Sequence, residues 1–198
     1  MEKEIVFVLL DDFADWEAAF LAPALRAGTM PGRPASYGVK YMTPDGRPVR
    51  SIGGLRAAAD CDASALPEAC AGLILVGGMQ WQSEAAQRIV PLVGEALARG
   101  IVVGAICNAV SVMAPHGFLH GVRHTGNTLG MLQKWGGANY TGEELYEERQ
   151  AVRDGNVVTA NGTGQLEFTR ECLLALSADT PEAIEASYKF NKEGFCGR

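Results

Sequence analysis

The chain has 198 residues, 47% hydrophobic and 20% charged, the make-up of an ordinary soluble domain large enough for a three-layer core. Its 23 acidic and 17 basic side chains leave a net charge of −6, and no basic cluster invites nucleic acid or an anionic membrane. No apolar run approaches the roughly 20 residues of a membrane span. The first one, at residues 5–10, is also too short for a signal-peptide core.

Residues 5–10 read instead as a buried first strand. Asp11 and Asp12 end it and can cap a helix predicted over residues 14–27. The apolar stripe of that helix is Phe13, Phe20, Leu21 and Ala24. Glu17 falls on the stripe, four residues after Phe13 and four before Leu21, where a carboxylate is unusual. Residues 28–37 gather Gly, Pro and Ser and read as the most flexible stretch.

A second strand is expected at 39–42, a turn at 43–46, and small strands or a hairpin at 49–52 and 55–59. Residues 71–76 form another buried strand that runs into Gly77 and Gly78, a pair able to turn backbone N–H groups toward a ligand. An amphipathic helix is expected over 84–99, carrying Ile89, Val90, Val93 and Leu97.

Residues 101–106 are a short apolar strand that meets Cys107 and Asn108, and a helix follows at once. Ala105 and Ala109 flank the corner, and small residues there allow the sharp, strained turn of a nucleophile elbow. The start of a helix favours the thiolate, the reactive form of the cysteine. The same pattern also fits a buried structural thiol.

All three histidines, at 116, 120 and 124, lie near a loop over 117–126. Their spacing would align metal ligands on a helix, but Pro115, Gly117 and Gly121 oppose that helix, and no metal site is expected. Further elements are a helix at 128–135, a strand at 157–160, the loop 161–164, a helix at 165–176 and a C-terminal helix opened by Thr180-Pro181-Glu182. The five cysteines, at 61, 70, 107, 172 and 196, include no C-x-x-C pair and suggest free thiols in a reducing, cytoplasmic compartment.

Alternating strands and helices make an α/β fold with a mostly parallel sheet, whose site lies at the carboxyl ends of the strands. Glu17, Gly77-Gly78, Cys107 and Asn161-Gly162 all follow strands in this way.

On the 5–10 run with Glu17 beyond it, the 73–78 strand and glycine pair, the 105–109 elbow, the 117–127 segment and the 157–164 strand and loop, the chain resembles the ThiJ/PfpI family. This is the Parkinson-disease-protein branch of the class I glutamine-amidotransferase-like superfamily, and the resemblance runs over nearly the whole chain. The 117–127 segment is similar to bacterial members described as proteases or amidotransferase-like proteins. The resemblance implies a single domain over residues 1–198, a three-layer flavodoxin-like sandwich with a nucleophile elbow, and a homodimer. It implies Cys107 as nucleophile with the Glu17 carboxyl beside it, and the N–H groups of Gly78 and Asn108 as oxyanion hole. Gly77, His124, Asn127 and Thr163 are candidate pocket residues.

The chain departs from the pattern in three places. Protease-like members place a histidine directly after the cysteine, where this chain has Asn108. Other members carry a histidine further on, at a place that falls on Asn127. The late His-x-Glu of the glutaminases is missing, since no histidine follows His124. Glu17 is therefore the expected proton carrier.

Three functions fit. The first is a cysteine-dependent hydrolase, hydratase or lyase acting on a carbonyl-type or amide-type small molecule without a cofactor. The second is a redox-sensing stress-response protein oxidised at Cys107. The third is a non-catalytic ligand-binding module.

Overall fold

The apolar runs become strands covered on both faces. The computed structural model describes residues 3–194. Its strands are β1 (Glu4–Val8), β2 (Gly38–Thr43), β3 (Val49–Arg50), β4 (Arg56–Ala57), β5 (Cys61–Asp62), β6 (Cys70–Leu75), β7 (Val102–Ile106), β8 (Ala151–Asp154) and β9 (Val157–Ala160). Its helices are α1 (Leu21–Ala27), α2 (Glu84–Gln87), α3 (Val90–Ala98), α4 (Asn108–Met113), α5 (Leu129–Gly136), α6 (Gln165–Leu176) and α7 (Pro181–Glu193).

Seven strands form one sheet in the order β5-β2-β1-β6-β7-β9-β8. All neighbours are parallel except β8, which pairs antiparallel with β9. β3 and β4 make the expected hairpin. Alternate residues of each strand feed opposite cores, which is why the runs read as unbroken. Val6, Val8, Leu73, Leu75 and Val103 pack against Leu92, Val93, Val112 and Leu132 on α3, α4 and α5. Ile5, Phe7, Ile74 and Val158 pack against Leu21, Leu25, Phe168, Leu173 and Ile184 on α1, α6 and α7. The result is a three-layer α/β sandwich. Each fully buried aliphatic or aromatic side chain contributes roughly 1.5–3 kcal/mol.

Two helices differ from expectation for one reason. The helix predicted over 14–27 begins only at Leu21, and the one predicted over 84–99 is split into α2 and α3. Inside a helix, a proline clashes with the carbonyl four residues back. Starting α1 at Leu21 and α3 at Val90 places Pro23 and Pro91 in first turns, where no N–H is needed. Residues 12–14 are instead pinned by long-range backbone bonds. Asp12 donates to Arg50, Ala14 donates to Gly77, and Phe13 accepts from Ile52.

The stretch 28–37, read as flexible, is held by the turn between α6 and α7. Thr29 and Arg33 both bond Asp179, Ser36 donates to the Ala178 carbonyl, and Tyr37 donates to the Leu176 carbonyl at 2.6 Å. β8 had no counterpart among the expected strands. It pairs with β9 through the two-residue turn Gly155-Asn156, with Gly155 at φ +55°.

Candidate active site

The sheet leaves β1 toward one edge and β6 toward the other, so β1 and β6 flank its topological switch point. The segments that follow β1, β6, β7 and β9 meet there, and each brings one part of the site.

Cys107 stands at the corner between β7 and α4 with φ +61° and ψ −130°. A side chain in that region is strained, and neighbours must hold it there. They do so through its own N–H, which donates to the Ala160 carbonyl at 2.9 Å, and through Asn108 Nδ2, which donates to the Gly78 carbonyl at 2.9 Å. Asn108 is the first residue of α4, so its N–H has no partner within the helix.

Glu17 sits in the turn before α1, not on the helix, and is 1% exposed. Both carboxyl oxygens are buried without a hydrogen bond of normal geometry. Gly77 lies between Glu17 and Cys107. A Cβ there would stand 2.2 Å from Glu17 Oε2 and 2.7 Å from Cys107 Cβ. Only glycine lets the two side chains face each other so closely. Gly78 forms a bridge with Phe13, which ties the loop after β6 to the segment that carries Glu17.

Burial pushes the Glu17 carboxyl up to about 7, against the opposing pull of the Cys107 thiol and the Gly77 N–H beside it. Burial, and then the Glu17 charge, push the Cys107 thiol up. Asn127 and the Asn108 N–H pull it down without reversing the shift. The helix start therefore does not by itself yield the depressed thiol expected from the sequence. Each group thus acts on the other, the arrangement in which two acids release their protons as a pair.

Asn127 Nδ2 lies 3.3 Å from Cys107 Sγ, and Asn127 Oδ1 accepts the Gly162 N–H at 2.8 Å. Thr163 lies exposed on the neighbouring loop, its hydroxyl donating to Asn161 Oδ1 at 2.8 Å. A cavity of about 240 Å³ adjoins Asn127 and Asn161 and is also lined by Tyr146, Arg149 and Gln150.

His124 is directed elsewhere. Its ring is fully buried, with Nδ1 2.6 Å from the Val122 carbonyl and Nε2 2.7 Å from the Tyr140 hydroxyl. Burial lowers its pKa, as suits a neutral core histidine. His120 bonds the Asn139 carbonyl. Among the described residues no group of three His, Cys, Asp or Glu side chains is arranged to hold a metal ion. No helix among them is long and apolar enough to cross a membrane.

A parallel α/β sandwich with a strained cysteine elbow beside a buried glutamate defines a recognisable class. Residues 3–175 match the DJ-1/PfpI family, and the chain belongs to it. It is 35% identical to the "Uncharacterized protease YdeA" of Bacillus subtilis (strain 168), over 98% of this chain and 93% of that protein. The DJ-1 superfamily protein Atu0886 from Agrobacterium tumefaciens superposes with a TM-score of 0.84 at 37% identity, covering 96% of this chain and 98% of that one. A thiJ/pfpI family protein from Bacillus anthracis superposes with a TM-score of 0.88 at 32% identity, covering 97% and 92%.

Proposed function

We propose that the protein is a cysteine-dependent enzyme that attacks the carbonyl carbon of a small molecule, with Cys107 as nucleophile and Glu17 as proton carrier. The observation that carries this reading is the strained Cys107 backbone, which presents the thiol to a buried carboxyl across Gly77. The name of the Bacillus subtilis relative favours hydrolysis of an acyl compound.

In the first step the thiol proton passes to Glu17 and the sulfur forms a bond to the carbonyl carbon. The carbonyl π electrons move to oxygen, which the N–H groups of Gly78 and Asn108 receive. Two such donors are worth about 3 kcal/mol or more each in a dry site. Collapse expels the leaving group, which takes the proton back from Glu17. Water then hydrolyses the thioester. With an aldehyde the same attack gives a hemithioacetal, the entry to hydratase or lyase chemistry. A carboxyl that titrates at about 7 suits both directions of transfer at neutral pH.

The test is a panel of small activated acyl esters with intact-mass detection. The proposal expects an acyl adduct on Cys107 and turnover, both lost in Cys107→Ala. Turnover equal to that of Cys107→Ala, with no adduct, would overturn it.

One observation favours a second reading. Besides Glu17, the sulfur meets an amide N–H, from Asn127, which stabilises an anion and takes no proton. Such a site also suits a cysteine oxidised to its sulfinate and held by protonated Glu17, as in a redox sensor. Limited peroxide treatment that yields a stable sulfinate in wild type, but over-oxidation in Glu17→Leu, would support it.

The homodimer implied by the family resemblance has a suitable surface beside the site. Trp16, Ile52, Leu55 and Met79 are 44%, 49%, 60% and 66% exposed. Their segments are joined where Ile52 donates to the Phe13 carbonyl and Met79 to the Asp12 carbonyl. We propose that a second copy covers this surface. Light scattering at micromolar concentration should give a dimer, which Leu55→Glu dissociates. A monomeric wild type contradicts it. A cytoplasmic setting fits the free thiols of Cys61, Cys70, Cys107 and Cys172.

A further inference from the structure

Asn127 meets the sulfur through an amide whose orientation its partners decide. A side-chain amide has one acceptor end and one donor end, told apart by what each faces. The Gly162 N–H, 2.8 Å from Oδ1, requires an acceptor, so the donor end, Nδ2, must face Cys107 Sγ at 3.3 Å. Flipping the amide would set N–H against N–H at Gly162 and a bare oxygen against the sulfur.

Gly162 makes this possible because it has no side chain. A Cβ there would stand 2.9 Å from Cys107 Sγ and 3.4 Å from Asn127 Oδ1. Asn127 is also fixed along the chain on both sides. The buried Thr125 donates its N–H to Thr159 Oγ1 on β9 at 2.9 Å, and Thr128 caps α5 by accepting the Met131 N–H at 3.1 Å.

From this geometry we infer that Asn127 is a catalytic residue: a fixed neutral donor, locked by Gly162, that stabilises the Cys107 sulfur as its proton leaves, with all proton transfer left to Glu17. The inference rests on Cys107 being the nucleophile. The groups that face the sulfur are Glu17 from the segment after β1, Gly77 after β6, the Asn108 N–H of α4, Asn127 before α5 and Gly162 after β9. Glu17 is the one among them that titrates. The downward pull of Asn127 on the thiol agrees with this role.

The experiment follows iodoacetamide modification of Cys107 against pH, by peptide mass mapping, in wild type, Asn127→Asp and Asn127→Leu. Circular dichroism checks each fold. Asn127→Asp keeps an oxygen for the Gly162 N–H and nearly the same volume, but turns an oxygen toward the sulfur. The negative charge that Asn127→Asp adds would by itself raise the thiol, so the uncharged Asn127→Leu carries the discrimination: a purely structural role for Asn127 predicts a wild-type thiol profile for Asn127→Leu. The inference predicts for Asn127→Asp a thiol titration raised by about one unit or more, with alkylation about tenfold slower at neutral pH. Asn127→Leu, which removes the donor without adding charge, should shift the same way by less. The shift of Asn127→Leu decides, and Asn127→Asp serves to show that the sulfur senses what stands at this position. A wild-type profile in either folded variant overturns the inference while leaving the nucleophile standing. A wild type whose Cys107 is never alkylated overturns the nucleophile, and the inference with it.

Discussion

Glu17 and Cys107 face each other across Gly77, at a spacing that a single methyl group would fill: its carbon would lie 2.2 Å from Glu17 Oε2 and 2.7 Å from Cys107 Cβ. The Ile106 carbonyl, also 2.7 Å from that position, is backbone and cannot swing aside. Gly77→Ala should therefore destabilise the protein by about 1–3 kcal/mol, the usual range for overpacking. It should also separate the acid pair, so turnover falls more than stability alone explains. Urea melts and rates measured on the folded fraction check this. A variant with wild-type stability would show that the two side chains are not in contact range.

The Glu17 carboxyl makes stability depend on pH in a stated direction. In the fold it keeps its proton up to about pH 7, whereas an ordinary glutamate releases it near 4.5. Between these values the folded chain binds more protons than the unfolded one, so this contribution is present at low pH and is lost as pH rises through about 7. The loss amounts to about 3 kcal/mol. Glu17→Gln has no such term. Its stability relative to wild type should climb by that order across the window, and a constant difference would contradict the assignment.

Selective labelling separates the thiols. Cys172 is fully buried and Cys70 is pushed up to about 11 by burial, so neither should react at neutral pH. Cys61 is half-buried and also raised. Cys107 is half-buried too, but it has donors aimed at its sulfur. With limiting alkylator Cys107 should be modified first. Cys196 lies outside the described residues and is resolved by the same peptide map. Preferential modification of any other cysteine counts against the elbow as a reactive site.

The loop over residues 28–37 offers a control far from this chemistry. The Arg33 guanidinium and the Thr29 hydroxyl hold the Asp179 carboxyl well below the usual carboxylate range. Asp179→Ala should expose residues 29–36 to proteolysis and lower Tm, with Cys107 alkylation unchanged. An unaltered cleavage pattern would mean that these bonds do not hold the loop.

The strands were legible because covered parallel strands are continuous apolar runs, and β9 and α6 match the sequence expectation residue for residue. The helix starts were not, although Pro23 and Pro91 carried the signal. β8 hid because an edge strand such as Ala151–Asp154 needs no apolar face; Gly155-Asn156 was its one cue. At the site, the meeting of Glu17, Cys107 and Asn127 follows from topology once the strands are placed. What no spacing rule reveals is the direction of the Asn127 amide, since the Gly162 N–H that sets it lies 35 residues away. His124 is the opposite case. Its position near Asn127 suggested the site, but the Tyr140 hydroxyl and the Val122 carbonyl claim both of its nitrogens.

The most direct test of the account is the pH dependence of Cys107 alkylation in wild type and Glu17→Gln. A coupled pair predicts two steps in wild type, one of them near pH 7 where Glu17 titrates. Glu17→Gln removes the charge that raises the thiol, so it should show a single step at lower pH than the wild-type thiol. Its turnover should meanwhile fall by roughly 10²-fold, the usual size of a lost acid–base group. A thiol that becomes more reactive while turnover falls is the predicted result. Superimposable profiles for the two proteins would contradict the account, because Glu17 would then not be coupled to the nucleophile.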